Sequence, residues 1–439
     1  MKEDPNLIHA EPQKEFFINT LTKDVGLFDC ILDLIDNSIH KLVVAQDINV
    51  MPVIEGGKKV SRIPSKAAIN INITQSHFII EDSCGGITKK EAKNQIFLFG
   101  KVSQTASAPG LGIYGVGMKR AFFKLGRKIK MISRSGSKIF QMTIDVDKWE
   151  KESDWVFHFD PDPPLNTLKH GGTRIEITRL NSDIGQRLTM PGMLRQLRDR
   201  IADTYLLFIT SGLRIMLNGN VASSEFPMLE TKRITPARKH LQMNGVSVII
   251  IAGLAPKASR VPHGWYVFCN GRMIYKADKT PQTGWGSDGF PQFHTKYNHF
   301  IGHVYFFSKD LSKLPWDTTK SRIEIESRIY QATLNEMRIE ARPILDTLNK
   351  FYPSEREEEE TIQHALLFDS KAVSINRLPK KESSFSIKEQ KTLREDVPIS
   401  YKRPRAQVEK VKQAISSTRR VSNHEVGEHT FDYFLKKEC

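Results

Sequence analysis

Asp33 and Asn37 stand four residues apart in the run Asp29-Cys-Ile-Leu-Asp-Leu-Ile-Asp-Asn-Ser-Ile-His40, a spacing that brings a carboxylate and an amide onto one face of a helix. Such a pair suits a metal-bound phosphate. At ~100° per residue, Asp29, Asp33, Asp36, Asn37 and His40 fall on one arc, while Leu27, Phe28, Ile31, Leu32, Leu34, Ile35, Ile39 and Leu42 fill the opposite one. A solvated helix face normally mixes signs, whereas this one has almost no cation. Standing alone, it would read as an ordinary acidic surface.

The elements that must position this helix carry further polar groups. Phe78-Ile-Ile-Glu-Asp82-Ser-Cys84-Gly-Gly86-Ile87 reads as a strand that ends in a buried acid and a glycine turn, with a helix from about Thr88. Gly110-Leu-Gly112-Ile-Tyr-Gly115-Val116-Gly117-Met118-Lys119 opens onto an apolar helix, and Gly171-Gly172-Thr173 places a Gly-Thr pair at the head of another strand. A dinucleotide-binding reading of the glycine run fails, because Lys101–Pro109 before it is Ser/Ala/Thr-rich rather than a strand. The order and spacing of these motifs resemble the GHKL ATPases, the superfamily of DNA gyrase, MutL and MORC proteins, Hsp chaperones and histidine kinases. The style is closest to MutL and MORC.

That resemblance implies ATP and Mg2+ as cofactors. Asn37 would present its side-chain oxygen to magnesium, and Asp33 would be the general base that orients or deprotonates the attacking water. The family more commonly has Glu at this position. The shorter Asp implies slow turnover, because a shift of about 1 Å matters for in-line attack. Asp36 would bond backbone or sit behind Asn37. Asp82 would accept a hydrogen bond from the adenine amine, its alternative being a cap for the helix near Thr88. Cys84 stands where Asp-x-Gly-x-Gly has its first glycine, while Gly86 keeps the second. Gly110, Gly112, Gly115, Val116, Gly117, Met118 and Lys119 would wrap the phosphates, with Lys119 as a mobile charge and the preceding segment as an ATP lid. Thr173 would complete the nucleotide site.

Beyond about residue 190, a helix runs from Met193 through Phe208, and a strand follows over Leu213–Leu217. Val246–Ala252 and Gly264–Ile274 read as further strands. Phe268-Cys-Asn-Gly-Arg272 resembles the transducer domain that follows the ATPase in gyrase-type and MutL-type proteins, although a plain Asn-Gly hairpin satisfies it too. Thr318-Thr319-Lys320 looks like the transducer loop whose lysine senses the γ-phosphate, with a surface lysine before a helix at about Arg322 as the alternative. That helix would reach Phe351 and be kinked or divided by Pro343.

The fold expected is α+β. A Bergerat-type ATP-binding α/β sandwich over residues 1–190 is followed by a transducer-like α/β domain over 191–352, a linker over 353–396 and a basic strand-helix-helix tail over 397–439. Pro398 and Pro404 fit poorly in a paired strand, so the tail reads equally as a protein-docking segment.

Composition narrows the class. The 439 residues hold 65 Lys+Arg against 50 Asp+Glu, a formal charge of +15 that favours polyanionic partners without identifying DNA. Cys30, Cys84, Cys269 and Cys439 are too scattered for a disulfide or metal framework, and no run approaches the ~20 apolar residues of a membrane span. A cytoplasmic location is expected, nuclear in a eukaryote, with no membrane partner. The leading functional reading is an ATP-gated homodimer that closes a lid and clamps a polymer, DNA above all, with an effector protein doing any cutting. The alternative is an ATP-dependent chaperone-like or signalling scaffold with slow or no hydrolysis. A kinase is disfavoured, because only 26 residues precede the Asn-bearing helix.

Overall fold

Alternating burial builds the first sheet. In β1 (Ala68–Ile73) the side chains of Ile69, Ile71 and Ile73 are buried while Asn70 and Asn72 are exposed, the pattern of a strand with one wet face. The structure is a computed structural model that describes residues 13–46, 48, 50, 54, 63–98, 111, 116–351, 371–388 and 399–438. Within it, β2 (His77–Asp82), β3 (Gly126–Ser135), β4 (Lys138–Asp145), β5 (Phe159–Asp160), β6 (Gly172–Leu180), β7 (Arg214–Leu217) and β8 (Asn220–Val221) complete an eight-stranded sheet, ordered β5-β4-β3-β6-β2-β1-β7-β8.

Helices cover the sheet's apolar face. The amphipathic helix read from the sequence spans Leu27–Gln46, and it packs beside the helix Gly117–Leu125; with Lys14–Lys23 before them these are α1 (Lys14–Lys23), α2 (Leu27–Gln46) and α3 (Gly117–Leu125). Ile31, Leu32, Ile35, Ile39 and Leu42 of α2 and Ala121, Phe122 and Leu125 of α3 are at most 1% exposed, and each large one contributes about 1.5–3 kcal/mol on burial. The polar arc of α2 is thereby turned toward the start of α3 rather than toward solvent.

The first sheet extends past residue 190. After α4 (Pro191–Thr204), β7 pairs in parallel with β1, Ile69 opposite Ile215. The boundary expected at 190 therefore differs from the layer observed, because an apolar strand signal does not state which sheet it will join. The chain then forms β9 (Met228–Glu230), β10 (Ile234–Thr235), β11 (Ala237–Met243), β12 (Val246–Leu254), β13 (Gly264–Cys269), β14 (Arg272–Asp278) and β15 (Phe300–Phe307). The second sheet is ordered β11-β12-β15-β13-β14. Every residue of β12, β13 and β15 is buried, which gives largely apolar runs instead of alternation.

The long helix α5 (Arg328–Phe351) packs on β12 and β15 through Tyr330, Leu334, Met337, Ala341, Ile344, Leu345 and Leu348. It is a single element that Pro343 does not divide, and it begins at Arg328 rather than near Arg322. Pro343 lies on the exposed side of the helix, where a missing hydrogen bond costs least.

Residues 371–388 correct the linker expectation. β16 (Ala372–Ser374) pairs with β9, and β17 (Ser386–Ile387) pairs with β10. Ile375 and Leu378 enter the core, apolar positions that the surrounding Ser, Lys and Glu had masked. The chain divides into Met1–Lys388 and Glu389–Cys439. In the second unit α6 (Arg405–Ile415) and α7 (Asn423–Glu438) form, and no strand occurs over described residues 399–404. No described helix is long and apolar enough to cross a membrane.

Candidate active site

The polar arc of α2 meets cations from three other elements. Asp33 is 2% exposed; its Oδ2 lies 2.5 Å from the Nη2 of Arg120 on α3, and its Oδ1 lies 3.5 Å from the Nζ of Lys320. One helical turn on, Asp36 is fully buried. Its Oδ2 accepts a hydrogen bond from Lys320 Nζ at 2.7 Å, and its Oδ1 accepts from Tyr205 Oη at 2.8 Å and Arg272 Nε at 3.2 Å. Burial works to raise the Asp36 pKa, but Arg272 and Lys320 outweigh it and hold the carboxyl below its usual range.

Lys320 reaches this depth through backbone geometry. Asp317 accepts from the amides of Ser321 and Arg322 and its carbonyl accepts from Lys320 N, closing a tight turn in which Lys320 itself takes a left-handed φ of 53°. Arg272 holds the turn from the other side, its Nη1 donating to the Lys320 carbonyl. Arg272 follows the Asn270-Gly271 hairpin, where Asn270 exchanges hydrogen bonds with Ser308 (Nδ2 to O, 2.8 Å; N to Oδ1, 2.9 Å). The first residue of β14, Arg272, and the turn at 317–320 thus deliver two cations to one acid of α2.

Asn37 follows Asp36 and is partly exposed; its Nδ2 is buried with no hydrogen-bond partner among the described residues. That amide is available to a ligand. Magnesium at this point fits a single amide oxygen only if a triphosphate and water supply the remaining oxygens, since no described group of three His, Cys, Asp or Glu side chains is placed to hold a metal.

Ser38 links this cluster to a second one. Its Oγ donates to Asp82 Oδ2 at 2.8 Å, while Cys84 N donates to Asp82 Oδ1 at 2.8 Å. Burial raises the Asp82 pKa to about 6, against the Cys84, Ser38 and Thr173 hydrogen bonds that lower it. Asp82 does not cap the next helix; Thr88 does, in a capping box with Glu91. Thr173 Oγ1 lies 2.9 Å from Ser133 Oγ, which accepts from Ile87 N at 2.7 Å. Gly86 and Gly172 close the cradle. A Cβ on Gly86 would sit 1.9 Å from the Arg134 carbonyl, and one on Gly172 would sit 1.9 Å from the Asp82 carbonyl.

Gly110, Gly112 and Gly115 lie outside the described residues. Val116 precedes α3, and Gly117 opens it against Asp33, where a Cβ would stand 3.0 Å from the carboxylate. Met118 is buried. Lys119 differs from expectation: it is no mobile charge but is 1% exposed, and its Nζ donates to the carbonyls of Ile96 and Leu98, each at 2.7 Å. Burial lowers its pKa to about 8. Helical direction explains this, because residue 119 points to the flank of α3 where the 92–98 turn packs. His40 Nδ1 accepts from Leu111 N at 3.2 Å, and burial with Lys320 and Lys41 nearby lowers its pKa to about 4 despite Asp36.

Lys320 is therefore brought to Asp33 and Asp36, with Asn37 next to Asp36 in the helix, while Asp82, Thr173 and Gly86 form a cradle that Ser38 joins to α2. Sequence reasoning missed Arg120, Tyr205 and the central place of Asp36. Arg120 carried a signal: a charge beside Ala121-Phe-Phe in an apolar helix needs a buried partner.

Residues 26–172 match the sequence profile of the family described as "Histidine kinase-, DNA gyrase B-, and HSP90-like ATPase". This part of the chain is similar to GHKL-type ATPase domains. No curated protein matches the chain.

Proposed function

We propose, on the premise of a GHKL-type ATPase domain, that this protein is an ATP-gated switch of the MutL or MORC style, in which ATP closes a lid and drives dimerisation. In this reading Asp82 receives the adenine amine, Asn37 holds Mg2+ with the triphosphate, Asp33 orients the attacking water, and Lys320 contacts the γ-phosphate. Magnesium would neutralise phosphate charge; the chain's own residues bind, orient and report. The observation that carries the proposal is Lys320 Nζ at 2.7 Å from Asp36 and 3.5 Å from Asp33, a cation of a distant turn set against two acids of α2.

Gating then rests on competition. Lys320 has either Asp36 or a γ-phosphate as its main partner, and ATP shifts the population only by as much as it favours the second state. The formal charge of +15 supports DNA, or a DNA-associated complex with an effector protein, as the thing acted on. The scaffold reading, with slow or no hydrolysis, is supported by Asp33 being held by two cations and shorter than Glu.

Size-exclusion with light scattering tests the proposal on wild type, Asp82→Asn and Lys320→Ala, with and without a non-hydrolysable ATP analogue and Mg2+. Analogue-driven dimers in wild type, lost in Asp82→Asn and weakened in Lys320→Ala, are expected. A wild-type monomer that binds the analogue without associating would remove the clamp and leave the scaffold.

A further inference from the structure

We infer that Arg120 is a positioning residue for hydrolysis, a guanidinium that fixes the Asp33 carboxylate in the direction from which it orients the attacking water. The inference rests on the reading of Asp33 given above. Its basis is geometric. Arg120 is 5% exposed, and its Nη2 lies 2.5 Å from Asp33 Oδ2, within the range of a charge-assisted hydrogen bond. Gly117, three residues earlier and so on the same side of α3, forms the other wall: its missing Cβ would stand 3.0 Å from Asp33 Cγ and Oδ2. Asp33 is thus seated between a glycine and an arginine of one helical turn.

The second cation matters for a different reason. Lys320 touches Asp33 Oδ1 only at 3.5 Å and bonds Asp36 more closely, at 2.7 Å. If Lys320 leaves for a γ-phosphate, Arg120 is the cation that remains on Asp33 among the contacts described. An aspartate one methylene shorter than the usual glutamate has fewer rotamers to lose, and a guanidinium in fixed register restricts it further. Arg120 touches no reacting atom in this account. It acts through Asp33.

The experiment compares Arg120→Gln, Arg120→Lys and Asp33→Asn in the full chain by three readouts: affinity for a non-hydrolysable ATP analogue, single-turnover kcat, and affinity for ADP with aluminium fluoride, a mimic of the transferring phosphoryl group. For Arg120→Gln, analogue affinity within about twofold of wild type is expected. Its kcat and its preference for the aluminium-fluoride complex should both fall by about tenfold or more, the scale on which misplaced catalytic groups act. Arg120→Lys, which keeps the charge but not the fork, should fall between the two.

Analogue affinity that drops in parallel with kcat would make Arg120 a support of the pocket and overturn the inference. So would wild-type kcat and mimic preference in Arg120→Gln while Asp33→Asn loses both. Asp33→Asn with unchanged kcat would instead sink the reading of Asp33 itself. Should Arg120→Gln fail to fold, Arg120→Lys decides: a reduced kcat at unchanged analogue affinity supports the role, and a wild-type kcat removes it.

Discussion

Lys320 Nζ lies 2.7 Å from Asp36 Oδ2 across a sequence separation of 284 residues. Both side chains are withdrawn from water, Asp36 at 0% and Lys320 at 7% side-chain exposure. A buried ion pair gains little net stability over apolar packing, yet it leaves an uncompensated charge if one partner is removed. In the proposed gating, this is the contact that a γ-phosphate would exchange.

The two cations on Asp36 should separate in mutagenesis. Arg272→Ala removes a 1% exposed side chain that bonds both Asp36 and the Lys320 carbonyl, so a loss of about 3–5 kcal/mol is expected from urea unfolding. Lys320→Ala leaves Asp36 with Arg272 and Tyr205, and should cost less, about 1–3 kcal/mol. Equal losses would show that the two cations do not play different parts.

Asp82 gives a pH signature. Its folded-state pKa of about 6 exceeds the ordinary 3.8, so the folded protein holds this proton more tightly than the unfolded chain. The resulting stabilisation is full below about pH 4 and is lost as pH rises through about 6. Asp82→Asn, neutral throughout, lacks that slope. Denaturant titrations at pH 4 and pH 7 should therefore show the variant gaining on wild type by roughly 2–3 kcal/mol across the interval; a constant difference would contradict it.

Gly172→Ala tests the cradle. With a Cβ 1.9 Å from the Asp82 carbonyl, β2 and β6 must part locally, and a loss on the order of 3 kcal/mol is expected together with weaker binding of the ATP analogue. Thermal unfolding and equilibrium binding on the same sample check both halves.

Ile375→Ala asks whether residues 371–388 belong to the core. Ile375 is fully buried, so about 2–4 kcal/mol should be lost on truncation. A cost below about 0.5 kcal/mol, typical of surface positions, would return this segment to the status of a linker.

How much of this was legible depended on whether the signal was local. The polar arc of α2 and the turn after Asp82 were readable because period and turn chemistry are written in adjacent residues. The pairing of Asp33 with Arg120 and of Asp36 with Arg272 was not, since a charge does not announce a partner tens or hundreds of positions away. The seating of Lys119 was hidden for the same reason: its carbonyl partners at Ile96 and Leu98 exist only once the turn packs against α3. Residues 371–388 were hidden by composition, with Ile375 and Leu378 too sparse among polar neighbours to show a period.

The parallel pairing of β1 with β7 has a bearing on how the chain is made. Ile69 finds its neighbour Ile215 only after nearly the whole first domain has been synthesised, and pairings this distant in sequence are slow to close. A ribosome that has translated no further than α4 therefore carries a sheet whose β1 edge is bare, with Ile69 and Ile71 beside it and unpaired amides open to a neighbouring nascent chain. Only when residues 214–217 have emerged does the chain supply the strand that seals that edge, so chains halted before that point should be the most prone to aggregate.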